Sequence, residues 1–118
     1  MADKEKTSLK GKRLLVVGAG GFIGGFIAEE GLRRGMEVTV AVRASTSRRY
    51  LTDSRLGFLV LDYDDREGMK NAIAESTPWD YIIYNLGATK CINYIDFKRI
   101  NYGYLRTFTE LLTETGHV

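Results

Sequence analysis

The sequence predicts an α/β domain built on a doubly wound parallel sheet, and two observations carry that prediction. Four short apolar runs alternate with segments of helical period along 118 residues, the pattern of successive βαβ units with right-handed crossovers. A glycine-rich stretch, Gly18 to Gly24, stands between the first apolar run and the first helical segment. Four strands in the order 3-2-1-4, with flanking helices, make the first half of such a sheet plus one strand.

Residues 1–11 read as a polar lead-in, and 12–118 as the domain. Arg13-Leu14-Leu15-Val16-Val17 is nearly continuous in apolar character, as expected of a strand buried on both faces. From Phe22 to Arg34 the residues Phe22, Ile23, Phe26, Ile27 and Leu32 recur at helical spacing, and Gly35 is a natural stop. Glu37 to Val42 is a second strand, rich in β-branched residues. A polar stretch, Ala44 to Ser47, leads into an expected short helix around Arg48 to Thr52. Phe58 to Leu61 is a third strand, ending at Asp62. Asp65 to Glu75 is helical in pattern, with Met69, Ala72 and Ile73 on one face. Pro78 breaks the chain before a fourth strand, Tyr81 to Asn85, and a long helical segment runs from about Asp96 to Thr115, closed by Gly116.

The bulk composition narrows the partners. Hydrophobic residues make up 44% and charged residues 27%, with a net charge of +2 and both signs interspersed. No basic stripe marks a nucleic-acid partner. Arg43, Arg48 and Arg49 form one local basic cluster, suited to a small anionic ligand. Cys91 is the single cysteine, which rules out an intrachain disulfide or a cysteine-based zinc site. Met1 to Lys6 carries charges of both signs and no apolar core, so it does not read as a signal peptide. No apolar run approaches the ~20 residues of a membrane span. The expectation is a cytoplasmic protein with no metal and no membrane association.

Gly18, Gly21 and Gly24 sit three apart, a GxxGxxG spacing. The alternative GxGxxG frame from Gly18 fails at its sixth position, Ile23. In such a strand-to-helix turn the first glycine allows a tight bend, the second admits a diphosphate against the backbone, and the third lets the helix approach the sheet. Amides at the helix N-terminus, with the helix dipole behind them, then hold the anion. The fold expected is therefore Rossmann-type, and its ligand a dinucleotide.

With Gly18-Ala19-Gly20-Gly21-Phe22-Ile23-Gly24, the pattern resembles the extended short-chain dehydrogenase/reductases, also called the NAD-dependent epimerase/dehydratase family. Further matches fall in order. Val42-Arg43, then Ser45-Thr46-Ser47-Arg48-Arg49, resembles the segment after strand two of dihydroflavonol-4-reductase-like members. Leu61-Asp62 resembles the end of strand three, where an aspartate contacts adenine; Tyr63 beside it supplies backbone or ring contact. Asn85-Leu86-Gly87-Ala88 stands where the family lines its cofactor. Ile100-Asn101-Tyr102-Gly103 resembles the start of a helix whose asparagine supports the active site. The resemblance implies Gly18, Gly21, Phe22, Ile23, Gly24, Asp62, Tyr63, Leu86, Gly87, Ala88 and Asn101 as cofactor-binding residues.

Strand two ends in Val42 and Arg43, where an acidic residue would hold a ribose diol and repel a 2′-phosphate. A guanidinium binds phosphate through paired N–H groups. NADP(H) is therefore expected over NAD(H), with Arg48 and the hydroxyls of Ser45 and Thr46 assisting Arg43. Arg49 reads as a solvated surface residue.

The family's hydride transfer depends on a tyrosine four residues before a lysine. Tyr94 and Lys98 have that spacing, but the family's pair lies on the helix after strand five, beyond residue 118. They are not assigned as catalytic, nor are Cys91 and His117, the latter expected at a frayed end. The chain reads as an N-terminal portion of a longer enzyme acting on a carbonyl or nucleotide-sugar substrate. A non-catalytic NADP(H)-sensing or interaction module of the same fold is the alternative, and a methyltransferase-type domain is disfavoured by the missing acid after strand two. A strand four without a further neighbour implies self-association through Tyr81 to Tyr84.

Overall fold

At the centre of the sheet lies β1 (Arg13–Val17), buried from Leu14 onward. The computed structural model describes residues 8–18, 20–85 and 98–117. β1 pairs in parallel with β2 (Glu37–Val42) on one side and with β4 (Tyr81–Tyr84) on the other. β2 pairs in parallel with β3 (Gly57–Val60). The order is β3-β2-β1-β4, the sheet that the alternation of apolar runs predicts. Leu15 stands opposite Thr39 and Ile82.

The two-residue alternation of the strands divides the interior into two cores. Leu14, Val16, Val38, Val40 and Val42 face α1 (Phe22–Arg33) and meet Ala28, Leu32 and Met36 there. Leu15, Val17 and Ala41 face the opposite side. They pack with Met69 and Ile73 of α2 (Arg66–Ala74) and with Phe108 and Leu111 of α3 (Tyr104–Glu114). Asp65 caps α2 by accepting the Gly68 N–H at 3.0 Å, which satisfies one of the helix's free donors. A π-helical turn, Arg99–Gly103, runs directly into α3. The expected long final helix is thus continuous over its described length to Glu114, with a π-helical turn near its start.

The packing face of α1 adds a feature that apolar spacing does not carry, and two expectations are corrected. The buried face of α1 consists of Gly24, Gly25, Ala28, Gly31 and Leu32, whereas Phe22, Ile23 and Phe26 are 68%, 63% and 63% exposed. Small residues win this face because the helix lies close on the sheet: a Cβ on Gly31 would stand 2.9 Å from Val38 Cγ2 and 3.0 Å from Leu14 Cδ2. The segment Arg48 to Thr52 forms no helix. A single turn, with the Leu51 N–H on the Arg48 carbonyl at 2.9 Å, drops Leu51 into the α1 core instead. His117 is not frayed. Its Nε2 lies 2.8 Å from the Ser76 carbonyl, after α2, and its ring centroid 5.5 Å from that of Trp79.

At the edge of the sheet, the Asn85 N–H bonds the Val17 carbonyl at 2.8 Å. By the alternation of a parallel ladder, the N–H and C=O groups of Ile82 and Tyr84 then point away from β1. Among the described residues no strand pairs with that side. No helix among them is long and apolar enough to cross a membrane.

Candidate functional site

The C-terminal ends of β1 and β2 and the N-terminus of α1 enclose a cleft of about 740 Å³. Its position follows from the chain path. β1 ends at Val17, and Gly18, at φ +77°, turns the chain in a conformation that side-chain-bearing residues rarely adopt. The Gly18 N–H bonds back to the Ala41 carbonyl of β2 at 3.2 Å, which fixes the turn against the neighbouring strand. Helix α1 then starts at Phe22 with Gly21 as its cap.

Among the described residues no side chain caps that helix, and no acidic residue stands in its first turn. Its first amides are therefore free to bind an anion, and the helix dipole favours one. A Cβ on Gly21 would meet nothing within 4 Å, so the backbone at this point is open to close approach. Gly24 is among the buried residues of α1. Gly18 thus occupies a left-handed turn and Gly21 an open approach, and Gly24 is buried.

The far wall of the cleft is the loop after β2. Arg43, Ser45, Thr46 and Ser47 line it together with Ala41 and Val42. The Arg43 N–H donates to Thr46 Oγ1 at 2.9 Å, and the Thr46 N–H donates to the Arg43 carbonyl at 3.0 Å, closing the loop on itself. Among the described residues Arg43 forms no ion pair. Asn85, just past β4, completes the lining.

The structure brings Gly18, Gly21, Phe22, Ile23, Arg43 and Ser45 to this one cleft. Arg48 does not line it: its guanidinium sits 4.2 Å over the Phe58 ring. Arg49 lies 4.9 Å over the Tyr50 ring. Asp62 forms a turn, its carboxylate accepting the Asp64 N–H and its carbonyl the Asp65 N–H, each at 3.0 Å. Tyr63 turns its ring into the core against Tyr104, which leaves its backbone as the part able to meet a ligand. Leu86, Gly87, Ala88, Cys91 and Tyr94 lie outside the described residues. Lys98 is exposed, and Asn101 lies in the π-helical turn, its side chain outside the description.

Behind the cleft, on the α2–α3 side, the tyrosines of β4, α3 and the β3 exit gather. Burial raises the hydroxyl pKa of Tyr63 and pushes that of Tyr84 up to about 12. Burial also raises that of Tyr104, reinforced by its bond to the Asp64 carboxylate at 3.0 Å.

Sequence reasoning gave no role to Gly20, which also lines the cleft, or to Gly25, whose Cβ would stand 2.7 Å from Tyr50 Cβ. The signal was present in the doubled glycines Gly20-Gly21 and Gly24-Gly25. Only one member of each pair fits the three-residue spacing.

A model of the NAD-dependent epimerase/dehydratase family matches residues 14–114. Solved structures agree in fold. The UDP-Glc/GlcNAc 4-epimerase from the human pathogen Campylobacter jejuni superposes with a TM-score of 0.80 at 21% identity, over 91% of this chain and 35% of that one. The UDP-glucose 4-epimerase of Thermus thermophilus, solved with NAD, gives 0.72 at 27% identity, over 88% and 34%. An actinorhodin polyketide ketoreductase solved with NADPH gives 0.74 at 19% identity, over 90% and 48%. The chain therefore spans about a third of the length of the epimerases it matches. No curated protein matches it.

Proposed function

The chain belongs to the NAD-dependent epimerase/dehydratase family, and from that membership we propose that it is the NADP(H)-binding domain of an oxidoreductase, epimerase or dehydratase. One observation carries the reading: the N-terminus of α1, which among the described residues has no side-chain cap and no acid in its first turn, and Arg43, which forms no ion pair among them, line the same cleft. The first suits a diphosphate and the second a 2′-phosphate. Its volume falls in the range of roughly 300–1,000 Å³ of small-molecule sites. In this reading Gly18, Gly21, Phe22 and Ile23 hold the diphosphate and Gly24 seats the helix. Arg43, with Ser45 and Thr46, takes the 2′-phosphate.

Relatives of this fold have been solved with either cofactor, NAD in the Thermus epimerase and NADPH in the ketoreductase. The choice therefore rests on Arg43. Bound there, the dinucleotide supplies hydride chemistry, and this chain's residues bind and orient it. The whole protein would act on a carbonyl or nucleotide-sugar substrate in the cytoplasm. The edge of β4, which no strand among the described residues pairs and which exposed Tyr81 and Ile83 flank, supports self-association as part of the same reading. Titration of the chain with NADPH and with NADH tests the proposal: NADPH binds more tightly, and binding of neither contradicts it.

A further inference from the structure

We propose that Gly20 is a specificity-determining position: its missing side chain seats Thr46 on the glycine turn and so holds the Arg43 loop over the cleft. The inference rests on the NADP(H) reading above and extends it to a residue without an assigned role.

A Cβ on Gly20 would overlap Thr46 Cγ2 and lie 3.4 Å from the Ser47 carbonyl oxygen. Thr46 cannot rotate its methyl away at no cost, because its Oγ1 accepts the Arg43 N–H at 2.9 Å. That bond and the Thr46 N–H to the Arg43 carbonyl, at 3.0 Å, tie residues 43 and 46 from both sides. A side chain at position 20 therefore either breaks the loop closure or moves the loop outward as a unit, carrying Arg43 with it. Gly21, the next residue of the same turn, has nothing within 4 Å of a Cβ. The two neighbouring glycines thus have different tasks. Gly21 leaves room for the part common to both dinucleotides, and Gly20 leaves room for the loop that reads the part distinguishing them.

The test is a double-mutant cycle on the full chain with Gly20→Ala and Thr46→Ser. Serine keeps the oxygen that bonds Arg43 and removes the methyl that would collide. NADPH and NADH titrations should show Gly20→Ala losing about tenfold or more in NADPH affinity and much less in NADH affinity. Adding Thr46→Ser should recover most of that loss. Equal losses for the two cofactors, or no recovery in the double variant, would overturn the inference while leaving the NADP(H) reading intact. Failure of the unaltered chain to bind either cofactor overturns that reading, and the cofactor role of Gly20 with it. Thermal melts report the contact without any ligand. Gly20→Ala should lower the melting temperature and Thr46→Ser restore it, and simple additivity of the two changes would show that the residues do not touch.

Discussion

Tyr63 stacks on Tyr104, with ring centroids 5.2 Å apart and planes 21° from parallel. The pair joins the exit of β3 to the first turn of α3, and the Tyr104 hydroxyl continues the link to Asp64. Together with Phe108, which is buried against Tyr84 at 6.0 Å between centroids, it fixes the last helix against the sheet. Phe108→Ala is expected to cost about 3–5 kcal/mol, the usual range for emptying a buried aromatic site. Tyr104→Phe, which keeps the stack and loses the hydrogen bond, should cost about 1 kcal/mol. Urea unfolding curves measure both, and the order of the two losses is the point at risk.

Alkaline titration reads the same cluster. Tyr63, Tyr84 and Tyr104 all have raised hydroxyl pKa values, with burial as the leading cause. A tyrosine whose folded pKa lies above its unfolded value stabilises the fold fully below the unfolded pKa, near 10. That contribution is lost as pH rises through the folded value, about 12 for Tyr84. Spectrophotometric titration of the seven tyrosines should contain a late-ionising population that includes Tyr63, Tyr84 and Tyr104, with stability declining from about pH 10 upward. A single transition for all seven would contradict the buried cluster.

Gly21 and Gly25 should respond differently to alanine. At Gly25 the added Cβ would meet the Tyr50 Cβ at 2.7 Å and its carbonyl oxygen at 3.0 Å. Overpacking of this kind costs about 1–3 kcal/mol, more than the roughly 1 kcal/mol that alanine gains in helix propensity. Gly25→Ala therefore lowers the melting temperature. Gly21→Ala, in open space, leaves it nearly unchanged and weakens NADPH and NADH binding alike, because it obstructs only the approach of the diphosphate.

How far the sequence reaches is visible in α1. Helical spacing located the helix, and the glycine spacing located its N-terminal turn. The helical spacing does not say which of the large residues are buried: Leu32 is, and Ile27 packs against the same core, whereas Phe22, Ile23 and Phe26 are exposed. Close approach to Val38 and Leu14 made Gly31 a buried position and left Phe22, Ile23 and Phe26 outside. The basic cluster shows a second limit. Arg43, Arg48 and Arg49 are neighbours in sequence, yet the turn at residues 48–51 sends Arg48 onto Phe58 and Arg49 onto Tyr50. Arg43 alone of the three lines the cleft. A charge run carries no information about which side chains a later turn will divert.

Self-association should follow protein concentration and depend on β4. The outward N–H and C=O groups of Ile82 and Tyr84 offer a ladder to another chain. Replacing the exposed flanking residue Ile83 with lysine should shift sedimentation toward the monomer. A monomeric profile for the unaltered chain at high concentration contradicts this part of the account.

The most direct test of the central claim is a side-by-side titration of the unaltered chain and Arg43→Asp with NADPH and NADH. A charge-assisted phosphate contact is worth about 1.5–3 kcal/mol, so Arg43→Asp should weaken NADPH binding by roughly ten- to a hundredfold. NADH binding should change far less, since the glycine turn and the α1 N-terminus are untouched. Equal losses for the two cofactors would contradict the assignment of Arg43 to the 2′-phosphate.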